Sequence, residues 1–105
     1  MNPAKVKRDN VKSLLDLPNV GPATKADLHL LGIHEPKQLV GLDAYEMHER
    51  LCRLTKVQHD PCVIDVFLSL VCFANGGLAK PWWDFTETRK RTLASSAKKA
   101  RIDRN

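Results

Sequence analysis

Leu17-Pro18-Asn19-Val20-Gly21-Pro22-Ala23-Thr24 reads as the end of one helix, a tight turn and the start of another. Leu14, Leu15 and Leu17 close the first helix. Pro18 ends it, because its ring cannot continue the hydrogen-bond ladder. Asn19 and Gly21 are residue types that tolerate positive φ. Pro22 suits the first position of a helix, where no amide donor is needed. Such a turn points backbone amides out of a helix N-terminus, a ready site for an anion such as a phosphate. The stretch therefore points to a protein that grips a nucleic-acid backbone.

Outward from this turn the chain reads as all-helical. Val6, Val11, Leu14 and Leu15 have helical spacing, which predicts a helix over about Lys5–Asp16. Pro22 to Leu31 is the next helix, with Leu28 and Leu31 inward and Gly32 as its C-terminal stop. Glu35-Pro36 starts a short helix that Gly41 ends. Asp43 caps a further helix, with Glu46 at capping-box spacing and Met47, Leu51 and Leu54 on one face. His59-Asp60-Pro61 is another start signal. The helix it opens, Pro61 to about Asn75, is apolar around nearly its whole circumference, so it belongs at the centre of a bundle. The expectation is a compact bundle of about five helices spanning residues 1–85. A basic, flexible tail is expected over 86–105.

A faint repeat accompanies this pattern. Leu17-Pro18-Asn19-Val20 and Leu54-Thr55-Lys56-Val57 share a Leu-x-x-Val frame 37 residues apart. The second copy has Gln58 where the first has Gly21, so it reads as a degenerate turn kept for structure; chance is the competing explanation.

The net charge of +5 over 105 residues is unevenly spread. Residues 1–17 hold four Lys/Arg and two acids, residues 18–85 six and eight, and residues 86–105 seven and two. The excess positive charge lies at the ends, which favours an anionic partner for the ends rather than for the centre. Cys52, Cys62 and Cys72 are odd in number, unlike a secreted disulfide scaffold, and read as reduced thiols. No signal-peptide pattern appears, and the apolar stretch from Val63 to Ala74, interrupted by Asp65 and Ser69, is too short to span a bilayer. The expected location is the cytoplasm, with no membrane partner.

Several chemical readings compete with backbone binding. His48 and Cys52 are one helical turn apart, and His48-Glu49-Arg50-Leu51-Cys52 is a near match to a zinc-protease helix. No Cys-x-x-Cys occurs, so no metal site and no cofactor are expected. Cys62, after His59-Asp60-Pro61, is either a thiol activated by a helix N-terminus or a buried residue behind a cap. Trp82, Trp83 and Phe85 are either base-stacking residues or an aromatic clasp on the central helix, and burial favours the clasp. No Ser-His-Asp set, phosphate loop or paired-carboxylate signature is present, so no catalytic residue is expected and the chain does not read as an enzyme.

The turn, with Leu28 and Gly32-Ile33 downstream, resembles the helix-hairpin-helix motif of DNA repair and recombination proteins. Together with His59-Asp60-Pro61-Cys62, Asp65-Val66-Phe67 and Pro81-Trp82-Trp83-Asp84-Phe85-Thr86, it resembles the small bacterial pathogenicity-locus proteins. Some of their relatives carry the label mitomycin-resistance protein. The resemblance covers roughly residues 10–90 and implies a helical domain that binds DNA. It implies that the amides at Val20, Gly21 and Ala23 face a phosphate, with a hydroxyl from Thr24. Against the wider motif, Asn19 replaces a hairpin glycine, Ala23 replaces a lysine, and Lys25 stands where a small residue is usual. The expected function is weak, salt-dependent DNA binding in repair or damage resistance. It would act through Asn19, Val20, Gly21, Ala23, Thr24 and Lys25, with Arg89, Lys90 and Arg91 from the tail. The alternative is an adaptor that binds a protein of a repair or nucleoid complex.

Overall fold

Asp60 and Pro61 open the helix around which the others pack. The computed structural model describes residues 2–103, with side chains described through Ser95. Four α-helices are present among them: α1 Pro22–Leu30, α2 Ala44–Thr55, α3 Cys62–Ala74 and α4 Thr86–Asp103. There are no strands among the described residues. α2 packs along α3, as does the 3₁₀ turn Trp82–Phe85, while α1 touches α2 and the turn Leu14–Asp16.

The expected caps form. The Asp43 carboxylate accepts the amides of Tyr45 at 2.8 Å and Glu46 at 3.2 Å. The Asp60 carboxylate accepts the Cys62 amide at 2.8 Å. Gly32 ends α1 at φ +82°, and Ile33 donates back to the Leu28 carbonyl at 2.9 Å, the wrapped helix end that favours glycine. Leu14, Leu17, Val20, Leu28, Met47, Leu51, Phe67, Leu70 and Phe73 form a single buried cluster.

Three expectations require correction. The helix over Lys5–Asp16 is absent. In its place are three separate 3₁₀ turns, Pro3–Lys5, Arg8–Asn10 and Leu14–Asp16, and Leu15 faces solvent. The polar residues of this segment compete for its backbone: the Asp16 carboxylate takes the amides of Lys12 at 3.1 Å and Ser13 at 3.0 Å. Short polar side chains commonly divert amides from helix in this way. The segment is tied down at Arg8 instead. Its guanidinium lies 4.1 Å from the centre of the Phe73 ring. It donates to the Phe73 carbonyl at 2.6 Å and to the Gly77 carbonyl. A cation thus caps the C-terminus of α3, where the helix dipole favours it.

The short helix after Glu35 is the 3₁₀ turn Pro36–Leu39, so three of the five helices expected over residues 1–85 stand as α-helices, and α4 beyond them makes four among the described residues. Leu54, expected on the buried face of α2, is 57% exposed. It projects from the last turn of the helix, and no other element covers it. Beyond residue 85 the chain continues as the helix α4.

Candidate nucleic-acid interface

The Leu17–Thr24 turn is held by its apolar residues and by one amide side chain. Leu17, Pro18 and Val20 are buried. Asn19 adopts the left-handed conformation at φ +66°. Its side-chain amide donates to Ser69 Oγ at 2.9 Å and to the Lys80 carbonyl at 2.8 Å. Ser69 is fully buried, and its hydroxyl donates in turn to the Val66 carbonyl at 2.6 Å. Asn19 therefore clamps the turn to α3 and to the segment that leads into Trp82. Its side chain serves the fold and faces inward.

Gly21 differs from the sequence expectation. Its backbone is extended, with φ −112° and ψ −175°, a conformation open to any residue. A Cβ there would meet no heavy atom within 4 Å. The fold itself has no use for a glycine at this position. Pro22 follows as the first residue of α1, and no side chain caps the helix. The first intrahelical bond runs from the Lys25 amide to the Gly21 carbonyl at 3.0 Å. The amides of Ala23 and Thr24 precede that bond and have no intrahelical acceptor. The result is an open, uncapped helix N-terminus with positive potential. Ala23 is exposed, and Thr24 and Lys25 are half-buried.

The structure adds a residue that sequence reading passed over. Lys80 is exposed, and its carbonyl is the one that Asn19 holds, so its backbone lies against the turn. Nothing local marks it: Lys80 is 61 residues from Asn19 in sequence. Beyond it, Trp82 is half-buried and Trp83 is 61% exposed. The two rings meet edge-on with centroids 5.6 Å apart. The Trp82–Phe85 turn lies along α3, as an aromatic clasp would, with one indole left in solvent.

Arg89 lies apart from Lys90 and Arg91. Asp65 has no exposed surface. Arg89 Nε donates to its carboxylate at 3.0 Å and Nη2 at 3.3 Å, and the Thr86 hydroxyl donates at 2.9 Å. The Arg89 side chain is only 12% exposed. Hydrogen bonding to Asp65 raises the guanidinium pKa above its ordinary value. The Arg89 charge is neutralised inside the fold and pins the first turn of α4 to α3. Lys90 and Arg91 are exposed. The side chains of Lys98, Lys99 and Arg101, and all of Arg104, lie outside the described residues.

His48 and Cys52, one helical turn apart, meet His59 and Thr55. His48 is buried, and its Nε2 lies 3.0 Å from the His59 carbonyl oxygen and 3.8 Å from Cys52 Sγ. The His59 amide donates to Cys52 Sγ at 3.4 Å, and His59 Nε2 lies 2.9 Å from Thr55 Oγ1. This network ties the end of α2 to the segment before α3. Among the described residues no three His, Cys, Asp or Glu side chains converge on a common metal position. The Cys62 thiol is not activated by its helix N-terminus. Hydrogen bonding to Asp60, followed by burial, pushes its pKa up. The three cysteines are free and half-buried, and no helix among the described residues is long and apolar enough to cross a membrane.

The two Leu-x-x-Val frames share a backbone feature. Asn19 at φ +66° and Lys56 at φ +57° occupy the same third position, and they are the two non-glycine residues of positive φ among those described. Their settings are opposite. Leu17 and Val20 are 1% and 2% exposed, whereas Leu54 and Val57 are 57% and 56% exposed.

Comparison with known proteins agrees with the sequence resemblance. The family model described as Pathogenicity locus (Cdd1) matches residues 7–91. A protein named mitomycin resistance protein McrB, from Streptomyces lavendulae, is 40% identical over 81 residues, which is 77% of each chain. No solved structure matches the chain significantly.

Proposed function

The chain belongs to the Pathogenicity locus family, and from that premise we propose that it is a small non-enzymatic module that binds DNA by its phosphate backbone. The observation that carries this reading is the uncapped start of α1 at Gly21, a glycine that the fold does not require and that leaves open space before the helix. Backbone amides at a helix N-terminus bind phosphate oxygens. Such contacts fix position and orientation without reading base sequence. Lys25 beside the turn and Lys80 clamped against it supply charge that Ala23 does not. Lys90 and Arg91 are free to add to it, and Arg89 is not, because Asp65 holds it. A role in damage resistance is supported by the name of the Streptomyces lavendulae relative.

Fluorescence anisotropy of labelled duplex and branched DNA at low salt tests the proposal. Contact with roughly two to five phosphates gives a slope of about −2 to −4.5 in log affinity against log salt. Gly21→Glu places a carboxylate where the phosphate would sit. It abolishes binding while changing stability by less than about 0.5 kcal/mol, because the site has room and a helix N-terminus tolerates an acid. No binding at concentrations up to about 100 μM, the weak end of non-specific DNA association, overturns it.

A further inference from the structure

The second Leu-x-x-Val turn carries a surface that DNA binding does not use. Leu54 and Val57 are each more than half exposed, while their counterparts in the first turn are buried. Between them Lys56 holds the left-handed conformation, which fixes the angle at which both side chains leave the surface. Two hollows adjoin them, and Arg53 lines both. The first, about 320 Å³, is lined by Arg50, Arg53 and Leu54. The second, about 430 Å³, includes Arg53, Lys56 and Val57 in its lining.

The charge here is local and opposite to its surroundings. Residues 18–85 hold more acids than bases, yet three of their six bases are Arg50, Arg53 and Lys56. Glu46 and Asp43 line a hollow with Arg50, and Glu49 lies 3.9 Å from Arg53 in a solvent-exposed pair, which holds its partners weakly. Apolar side chains rimmed by polar ones mark interaction surfaces. A phosphate backbone would meet the bases but would gain nothing from Leu54 and Val57. A second copy in two-fold pairing would bring like charges together.

We infer that this turn is a docking site for an acidic segment of another protein. That segment would seat apolar side chains against Leu54 and Val57 and set carboxylates against Arg50, Arg53 and Lys56. The site is separate from the DNA-binding turn and does not depend on it.

The test begins in the native cell, with the full-length chain carrying p-benzoylphenylalanine at position 57. A second chain carries it at position 78, where Leu78 is 74% exposed. The expected result is one dominant protein adduct from position 57 and none from position 78, with the cross-linked peptide rich in Asp and Glu. The identified partner, purified, is then titrated against the full chain. Leu54→Ser and Arg53→Glu, both at exposed positions, each weaken binding about tenfold, as central interface residues do. Gly21→Glu leaves that binding unchanged, so failure of the DNA reading and failure of this one are distinguishable. Position 57 giving no adduct beyond the position 78 control overturns the inference. So does an adduct with nucleic acid or with the chain itself, a peptide without acidic residues, or a partner indifferent to both substitutions.

Discussion

Replacing Arg89 with alanine removes the guanidinium that neutralises a fully buried carboxylate. Asp65 has no exposed surface, and two of its three side-chain hydrogen bonds come from Arg89, at 3.0 and 3.3 Å. The third comes from the Thr86 hydroxyl at 2.9 Å. Breaking such a pair from one side costs about 3–5 kcal/mol, because the remaining charge stays buried without compensation. A domain of this size has roughly 5–15 kcal/mol of total stability, so the variant loses a large part of it. Urea denaturation followed by tryptophan fluorescence is the natural assay, since Trp82 and Trp83 sit in the turn that adjoins the pair along α3. A loss of 3 kcal/mol lowers the melting temperature by roughly 12–24 °C. The double variant Asp65→Leu/Arg89→Met removes the charges together, and it recovers to within about 2 kcal/mol of the parent. A loss below about 1 kcal/mol for Arg89→Ala, or a double variant less stable than the single one, refutes the reasoning.

Asn19→Ala loses two hydrogen bonds and strains a left-handed residue, for about 2–4 kcal/mol in the same assay. Asn19→Gly keeps the backbone relaxed and loses only the bonds, so it should cost about half as much; equal costs would mean that the clamp to Ser69 and Lys80 contributes everything. Lys80→Ala weakens DNA binding and reduces the salt slope by about 1 without shifting the melting temperature. Because Asp60 holds the Cys62 thiol pKa up, Asp60→Asn accelerates alkylation of Cys62 by iodoacetamide at pH 8, measured by peptide mass spectrometry. Backbone hydrogen bonds hold the Asp16 and Asp60 carboxyls below their ordinary value of 3.8. A depressed folded value means stability that is complete above about pH 4 and lost as pH falls through the depressed values. Urea midpoints therefore fall on the acid side, and Asp16→Asn shows less of that fall than the parent.

Local chemistry was enough to place α1, α2 and α3, because each carries its own start signal: Pro22, Asp43, and Asp60-Pro61. The stop at Gly32 was equally local. The N-terminal segment misled because its apolar spacing is helical while Asp16 competes for the amides of Lys12 and Ser13, a contest that spacing does not record. Leu54 has the right period for burial, yet period carries no information about where a covering element ends. Arg89 belongs to a basic run that reads as solvated, and only its meeting with Asp65 removes it from the exposed charges.

By itself the sequence determined an all-helical chain and the tight turn at Leu17–Thr24, which depend on residues close together, and the family to which the chain belongs, which its motifs carry over most of its length. Tertiary structure alone decided which polar groups serve the fold. Asp65 and Ser69 look like interruptions of an apolar helix until Arg89, Thr86 and Asn19 reach them from 21 or more residues away. A buried polar group must find its partner wherever the fold brings one, and distance along the chain does not reveal that partner. The same packing clamps Lys80 beside the first turn and leaves the second turn's Leu54 and Val57 in solvent. The two Leu-x-x-Val frames are therefore alike in backbone and opposite in what they offer to a ligand.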